Sequence, residues 1–327
     1  MHPSAQSPEA AQALLSKTLQ KVSAGYTQII PWSKLKLNIP AQLKISPITT
    51  VLHKTRAFWM ILDLSFATKA TLTMSPPVLV NTATNQTGTL LHLMKELGWV
   101  LPRIIYTLAH APAGPPLLFV KLDIKDGFWR MIVPPDAEFN FIYVLPTAPD
   151  GDSNDIQIVV PSSLQMGWTS SPPYFCAATE TGCDIAQDYL QQPVGTLPLH
   201  YLEHHMLAGP DVAALSQWVS TPPSWHNWDL LLHFGNLQML LLTQGGALHT
   251  LLEVYVDNFI GVSKALSLQE LCHATWAILY GIHTLFSLPM TLTSPDNNPI
   301  SFQKLVSGDS IWRLQKEILG WIFNGVH

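Results

Sequence analysis

The aspartates Asp123 and Asp257 are the residues of this 327-residue chain best suited to chemistry, because each lies beside an apolar run. Asp123 lies near the end of LLFVKLDI, which predicts a buried strand, and Asp257 divides VYVDNFIGV, which predicts a β-hairpin. The dipeptide Asp257-Asn258 is predicted to form the two-residue turn, since Asp and Asn tolerate positive φ angles. A strand end and a hairpin tip that meet in one sheet bring two carboxylates together, as a divalent-cation site requires.

The order of the surrounding elements favours such a meeting. From residue 117 onward, the hydrophobic patterns predict a strand, a hairpin, a helix, the acid-tipped hairpin and a second helix. This order matches an α+β architecture in which a split βαβ antiparallel sheet is packed by helices. Upstream, residues 8–25 and 90–97 predict helices, and residues 43–66 predict two strands around a basic turn. Downstream, residues 139–145 and 155–160 predict two paired strands, and Ser267-Leu-Gln-Glu270 predicts a capping box that starts a helix.

The composition indicates an intracellular protein that does not enter a membrane. Apolar residues make up 47% and charged residues 12%, yet no apolar run reaches the ~18 residues that a membrane-spanning helix needs. The N-terminal segment MHPSAQSPEAAQ lacks the charged-then-apolar layout of a secretion signal. Three cysteines without a CxxC pair favour reduced thiols. We therefore expect a cytoplasmic or nuclear protein that is not secreted.

Charge is distributed very unevenly along the chain, although the net charge is only −5. Residues 1–69 contain eight Lys and Arg against two acids, whereas residues 131–262 contain thirteen acids and no Lys or Arg. Any binding of a polyanion is therefore predicted to depend on the N-terminal third. The acidic middle is expected to be a solvated surface.

Five segments, taken in order, resemble the fingers and palm of a retroelement (retrotransposon or retrovirus-like) reverse transcriptase. They are HKTRAFWMILDLSF (53–66, fingers hairpin), KLDIKDGFWRM (121–131, first catalytic motif), LQMGWTSSPPYFC (164–176, glycine motif), YVDNF (255–259, two-aspartate box) and EILGWIF (317–323, grip region). The resemblance implies a right-hand polymerase whose palm contains the split βαβ sheet. It also implies an RNA-directed DNA polymerase, a nucleotidyltransferase that acts on a template-primer and deoxynucleotides.

The resemblance divides the chain into three segments. Residues 1–115 are expected to form the N-terminal helix and the fingers-like region. Residues 116–300 are expected to form the palm-like region, with an insertion at about 192–250. Residues 301–327 are expected to form a grip-like end, with no thumb or RNase H domain in the chain. Neighbouring retroelement polypeptides are the expected partners, and the oligomeric state is left open.

The resemblance also implies roles for individual residues. Asp123 and Asp257 would hold two Mg²⁺ or Mn²⁺ ions, with the backbone carbonyl of Ile124 as a further ligand. Phe128 falls where the family has an aromatic residue that excludes a ribose 2′-hydroxyl. The implied nucleotide-binding residues are Asp126, Gly127, Phe128, Met166 and Gly167, and the implied nucleic-acid-binding residues are Lys54 and Arg56. Ordinary structural roles stay open: turn residues at Asp126 and Gly167, core at Phe128, and solvated turn charges at Lys54 and Arg56.

The chain departs from the family at three positions. Asn258 replaces the second aspartate of the box, Trp59 stands where a second basic residue is usual, and Met166 replaces a retroviral glutamine. Asn258 keeps a turn but lacks the charge, so we expect metal affinity to fall by at least on the order of 10–100-fold. Two functions therefore stay open: an active reverse transcriptase domain, or a catalytically silent remnant with a degenerate active site and at most a nucleic-acid or protein binding role.

Other metal motifs in the sequence are weaker. His200, Glu203 and His204 fit the HxxEH zinc-protease pattern, but flanking Gly and Pro residues predict a helix too short to carry it. Residues 150–155 (DGDSND) partly match a calcium-binding loop, and a plain hairpin turn is the expected structure. The three cysteines lack metal-ligand spacing.

The basic bias of residues 1–69 generates a first prediction. The double variant Lys54→Ala/Arg56→Ala should bind nucleic acid more weakly, because these cations are expected to contact phosphates, and the wild-type affinity should fall steeply with salt. Fluorescence anisotropy with a labelled primer-template measures both effects. The variant Lys34→Ala/Lys36→Ala, with the same change of net charge, is the control. Equal affinity of the test variant and the wild type would place the binding surface elsewhere.

Overall fold

The structure is a computed structural model. It describes residues 7–53, 56–66, 79–84, 94, 97–111, 116–146, 155–220, 250–264, 267–286 and 298–326. The chain forms two compact units: unit 1 comprises Met1–Leu91 and Asp126–Phe175, and unit 2 comprises His92–Lys125 and Cys176–His327. The described residues combine helices with small antiparallel sheets, in agreement with the predicted α+β class.

Helices and strands are interspersed along the chain. The helices are α1 (Pro8–Ser23), α2 (Trp32–Leu35), α3 (Val80–Ala83), α4 (Val100–Ala109), α5 (Pro135–Glu138), α6 (Ser171–Leu190), α7 (Glu203–Leu207), α8 (Pro210–Ser220), α9 (Leu268–Phe286) and α10 (Phe302–Val306). The strands are β1 (Thr27–Pro31), β2 (Ile48–His53), β3 (Arg56–Leu62), β4 (Leu118–Asp123), β5 (Tyr143–Val144), β6 (Gln157–Pro161), β7 (Thr250–Tyr255), β8 (Asn258–Ser263), β9 (Gln315–Ile318) and β10 (Trp321–Asn324). A short 3₁₀ helix spans Gly127–Arg130.

Helix α1 begins and ends where the sequence predicts. The side chain of Ser7 accepts a hydrogen bond from the backbone N–H of Ala10 (3.2 Å), and Pro8 occupies the first turn, where its missing N–H costs nothing. The helix ends just before Gly25, which adopts a φ of +78°. The predicted helix over residues 8–25 is therefore confirmed.

Unit 1 contains two antiparallel sheets. One has the strand order β1-β6-β5, and the other is the β2-β3 hairpin, whose predicted turn residues 54–55 lie outside the described residues. The two strands predicted over 43–66 and the pairing of β5 with β6 are confirmed. The buried apolar core of this unit consists of Leu14, Ile48, Leu62, Leu64, Val80, Val133, Phe141, Tyr143, Leu145, Val159 and Leu164.

Unit 2 is built around a three-stranded antiparallel sheet with the order β4-β8-β7, so the predicted strand and hairpin are neighbours. Helix α9 packs against β8, and α4 packs against β7. The hairpin β9-β10 turns at Leu319 and Gly320, which both have positive φ. The buried apolar cluster of this sheet consists of Val100, Ile104, Leu117, Phe119, Ile260, Val262, Ile318 and Phe323.

The long helix α9 is fixed by its cap and by close packing. The hydroxyl of Ser267 accepts a hydrogen bond from the N–H of Glu270 (3.2 Å), which confirms half of the predicted capping box. Within unit 2, Gly281 lies so close to α6 that an added Cβ would be 2.5 Å from the Cβ of Ala186 and 2.8 Å from the carbonyl oxygen of Gly182. Small residues at these three positions therefore let the two helix backbones approach each other.

The compact units group the chain differently from the three segments expected from sequence. Strand β4 belongs to unit 2, whereas residues 126–175 belong to unit 1. Residues 221–249, most of the expected insertion, and most of the helix predicted over 90–97 lie outside the described residues. Among the described helices, none is long and apolar enough to cross a membrane.

Packing around β8 generates the second prediction. A Cβ added to Gly261 would lie 2.8 Å from both Val120 Cγ1 and Trp312 Cη2, closer than real Cβ contacts. Gly261→Ala should therefore lower the free energy of unfolding by about 1–3 kcal/mol, as overpacking does. Gly98→Ala is the control, because nothing lies within 4 Å of its added Cβ. Urea unfolding measures both variants, and a Gly261→Ala variant as stable as the control would contradict this packing.

Candidate metal centre

The pairing of β4 with β8 places the predicted acids beside each other in unit 2. Asp123, the last residue of β4, pairs directly with Asn258, the first residue of β8. Asp257 precedes Asn258 at the hairpin tip, and its carbonyl oxygen accepts a hydrogen bond from the N–H of Ile124 (2.8 Å). The sheet therefore brings together four of the predicted site residues: Asp123, Ile124, Asp257 and Asn258.

The hairpin turn lies one residue earlier than predicted. Tyr255 pairs with Asn258, so the two turn residues are Val256 and Asp257 rather than Asp257 and Asn258. The positive φ, +55°, falls on Val256, a β-branched residue for which this conformation is unusual. The reason is the register: Asn258 pairs with both Asp123 and Tyr255, and this commits it to the central strand.

Both carboxylates of the site are already engaged. Asp123 is 8% exposed, and its carboxylate forms an ion pair with the ammonium of Lys304. The Asp257 carboxylate accepts a hydrogen bond from the side-chain amide of Asn258 (2.8 Å). Each acid therefore has a donor from the protein itself.

The two carboxylates influence each other electrostatically. Burial and, after it, the negative charge of Asp123 raise the pKa of Asp257, whereas its own backbone N–H, Lys304 and the Asn258 amide act in the opposite direction. Two partly buried like charges favour either protonation or a nearby cation. The site is therefore one that gains from binding positive charge.

The donor set fits a hard divalent cation. Carboxylate and carbonyl oxygens are the ligands that Mg²⁺ and Mn²⁺ prefer, and Asp123, Asp257 and the carbonyl of Ile124 would supply them. Across the described part of the chain, no cluster of three or more His, Cys, Asp or Glu side chains could hold a metal ion. Mg²⁺ held by one or two carboxylates usually completes its coordination with waters and with substrate phosphates.

Lys304 was not anticipated from the sequence. It belongs to the short helix α10, and the segment before that helix pairs with the end of β4: Ser301 N–H bonds to the carbonyl of Asp123 (2.9 Å) and Lys125 N–H to that of Pro299 (2.7 Å). The only sequence indication is that Lys304 is one of the few cations after the Lys- and Arg-free stretch.

The predicted nucleotide-binding residue Asp126 lies in unit 1. It caps the 3₁₀ helix with a φ of +57°, and its carboxylate forms an ion pair with Lys21 of α1 (2.5 Å). The same ammonium lies 5.2 Å from the ring centroid of Trp129. Asp126 is therefore a turn residue whose charge is compensated by α1.

Gly127 and Phe128 pack against one aromatic ring of unit 1. A Cβ added to Gly127 would lie 2.4 Å from the ring of Phe175, so only glycine fits there without rearrangement. The rings of Phe128 and Phe175 are 4.9 Å apart at 47°. Phe128 is partly buried against the core of unit 1, so it has a packing role whether or not it also selects nucleotides.

Met166 and Gly167 meet the end of β3. The carbonyl of Met166 accepts a hydrogen bond from the N–H of Leu62 (3.3 Å). Gly167 has a φ of +112°, and an added Cβ would lie 2.1 Å from the carbonyl oxygen of Leu62. Glycine is therefore required here by the close approach of two backbones.

The predicted nucleic-acid-binding residues are Lys54 and Arg56. Lys54 and the side chain of Arg56 lie outside the described residues, although the backbone of Arg56 begins β3 opposite His53. Trp59, at the position where a second basic residue was expected from the resemblance, pairs with Val51 in this hairpin.

Among the described residues, neither the HxxEH motif nor the cysteines form a metal site. Helix α7 begins at Glu203, so His200 precedes it and does not share a helix face with His204. Instead, His200 Nε2 hydrogen bonds to Nδ1 of His283 (2.9 Å) inside unit 2. The cysteines Cys176, Cys183 and Cys272 are free, and burial raises the pKa of the Cys183 thiol to about 12. The predicted turn over 150–155 lies largely outside the described residues.

Comparison with protein-family models gives no match, and comparison with curated proteins gives none either.

The buried histidine pair generates the third prediction. Burial, and after it His283, lower the pKa of His200 from 6.5 to about 3. Below pH 6.5 the unfolded chain therefore binds a proton that the folded chain excludes, and stability should fall as pH decreases from 6.5 towards 3, by at most about 1.4 kcal/mol per pH unit. His200→Gln should flatten this dependence in urea unfolding at pH 7 and pH 5. His110→Gln, at an exposed ring, should keep the wild-type slope, and equal slopes in all three proteins would contradict this assignment.

Proposed function

We propose that this protein is a reverse transcriptase domain, an RNA-directed DNA polymerase of the two-metal type. The observation that carries the proposal is the placement of Asp123 and Asp257 at a strand end and an adjacent hairpin tip of one antiparallel sheet. Two-metal phosphoryl transfer needs carboxylates from separate strands at one point. The ordered sequence motifs of the resemblance supply the rest of the argument.

Individual residues of the chain would have separate roles in phosphoryl transfer. Asp123 and Asp257 would hold the cations, with the Ile124 carbonyl beside them, and the β4-β8 ladder would keep their spacing fixed. Bound Mg²⁺ would activate the primer 3′-hydroxyl and neutralise charge on the transferred phosphoryl group. Phe128, to which the resemblance assigns the exclusion of a ribose 2′-hydroxyl, packs its ring against Phe175 within unit 1.

The strained turn supports a functional role for the tip. A non-glycine residue at positive φ costs on the order of 1–3 kcal/mol, and such residues cluster at active sites. Val256, immediately before Asp257, has a φ of +55°. The surrounding ladder holds this conformation, because Tyr255 and Asn258, the residues on either side of the two-residue turn, pair with each other.

A catalytically silent remnant is the second candidate, and two contacts favour it. Lys304 pairs with Asp123, and the Asn258 amide bonds to Asp257, so protein groups already occupy both carboxylates. With Asn258 uncharged, the two aspartates and Lys304 sum to a net charge of −1, which is little compensation for two dications. Such a remnant would keep the fold and have at most a binding role.

Primer extension separates the two candidates. An oligonucleotide primer annealed to RNA should be extended with deoxynucleotides in Mg²⁺ or Mn²⁺ by the wild type, and not by Asp123→Asn. Asp257→Asn should abolish extension as well, because each carboxylate is required. No extension in either metal by a folded wild-type protein would favour the silent remnant.

Asn258 provides the fourth prediction. Asn258→Asp adds the missing charge and removes the amide donor to Asp257, so it should tighten Mn²⁺ binding by on the order of 10–100-fold. Primer extension should rise or appear, more in Mg²⁺, which demands a more regular ligand set. Without metal, the variant should unfold at lower temperature, since a third acid joins the pair.

Asn38→Asp, an exposed position in unit 1, is the control with the same charge change. A folded Asn258→Asp variant that binds Mn²⁺ no better than this control would show that the missing aspartate is not what limits the site.

A further inference from the structure

Lys304 contacts the Asp123 carboxylate, the same group that would bind a divalent cation. Its ammonium forms an ion pair with the Oδ2 atom of Asp123, and the side chains of the pair are 27% and 10% exposed respectively. Removing one partner from such an ion pair is costly, because the other charge is then left buried without compensation. The carboxylate therefore has a positive charge beside it without any bound metal.

The backbone fixes Lys304 in this position. Residues 299–301 pair with residues 123–125 as an antiparallel bridge, through Lys125 N–H to Pro299 and Ser301 N–H to Asp123. Helix α10 starts immediately afterwards, at Phe302, and its Leu305 is buried. Lys304 therefore belongs to a paired and packed segment of unit 2, and the backbone of that segment determines its position beside Asp123.

The second acid lies beside the same ion pair. Asp257 precedes Asn258, the direct ladder partner of Asp123, and its carbonyl oxygen accepts a hydrogen bond from the N–H of Ile124. The ammonium of Lys304 is therefore the positive charge that the ion pair brings to this end of the sheet. A divalent cation placed between Asp123 and Asp257 would meet this ammonium as a like charge.

We propose that Lys304 is the resident counter-cation of the Asp123–Asp257 pair, and that a divalent ion binds only when the ammonium moves off Asp123. The inference rests on the proposed function, because it concerns the same carboxylates, and it adds a regulatory step to it. Metal binding is then an exchange of cations. The ammonium stays protonated and swings towards solvent, to which its side chain is already partly open.

The first test is a Mn²⁺ titration of the full chain, followed by electron paramagnetic resonance of the free ion. Lys304→Gln should bind Mn²⁺ on the order of tenfold more tightly than the wild type, because the competing charge is gone. Lys304→Arg, which keeps the charge, should bind like the wild type or more weakly. Lys34→Gln, at an exposed lysine of α2, should match the wild type and controls for the change of net charge.

Thermal unfolding provides a readout that does not depend on activity. Metal-free Lys304→Gln should unfold at lower temperature than Lys34→Gln, since Asp123 loses its counter-charge, and Mn²⁺ should restore the difference. If Lys304→Gln folds only when Mn²⁺ is present, the proposal is supported, because the metal then replaces the lysine.

The second test needs no variant. An amine-reactive reagent followed by mass spectrometry reports how accessible Lys304 is in the wild type. Saturating Mn²⁺ should increase the labelling of Lys304 severalfold and leave that of Lys34 unchanged. Unchanged or reduced labelling of Lys304, in a protein that demonstrably binds Mn²⁺, would overturn the proposal.

The outcomes separate this inference from the proposed function. Equal Mn²⁺ affinity of wild type and Lys304→Gln, together with metal-dependent primer extension, would overturn the counter-cation role and leave the polymerase proposal intact. Tighter binding by Lys304→Gln without extension by any variant would support the exchange of cations and favour the silent remnant. Absence of both Mn²⁺ binding and extension in all variants would overturn both.

Discussion

The antiparallel pairing of β4 with β8 is the constraint on which the candidate site depends. Once Asp123 is opposite Asn258, Asp257 must lie at the tip one residue away, and its carbonyl oxygen receives the N–H of Ile124. Two acids in partly buried positions would otherwise separate, because their charges repel. The ladder and the burial of Phe119, Ile260 and Val262 hold them together. Burying one such side chain contributes about 1.5–3 kcal/mol, which is comparable to the cost of an unfavourable charge pair. Apolar packing of the sheet therefore offsets the electrostatic repulsion between the two acids, at the end of β4 and just before β8.

The repulsion between Asp123 and Asp257 explains why a cation and an amide donor contact their carboxylates. Lys304 reaches Asp123 from a segment that is itself paired with the end of β4, and the Asn258 amide supplies a donor to Asp257. The Asn258 side chain does two things at once: it removes a negative charge that two cations would use, and it satisfies a carboxylate oxygen that would otherwise need another partner. An asparagine at position 258 is thus well accommodated by the metal-free protein. It is a poor choice only for a protein that must hold two dications.

Sequence patterns were sufficient for the elements but not for the contacts between them. Apolar runs predicted β4, β7 and β8, and cap residues located α1 and α9, because these signals are local. The turn was placed one residue late, since Asp-Asn is a strong turn signal while the true register is set by pairing with β4, more than 130 residues away in the chain. Lys304 was missed for the same reason. It meets Asp123 across 181 residues of sequence, and nothing in SFQKL indicates that contact.

The backbone geometry of the hairpin tip and the charge of the side chains around it favour different functions for this site. The tip keeps a strained Val256 conformation, which costs free energy and persists only because the ladder on both sides enforces it. The charge, in contrast, favours a state that is stable without metal, because Asn258 is neutral and Lys304 is paired with Asp123. The first feature follows from the register of the sheet, and the second follows from the protein groups that contact the two carboxylates. The geometry needed to position cations and the charge needed to bind them are therefore separable here. Because the β4-β8 ladder fixes the position of both acids, Asn258 and Lys304 are the residues that set how much positive charge this site can take up.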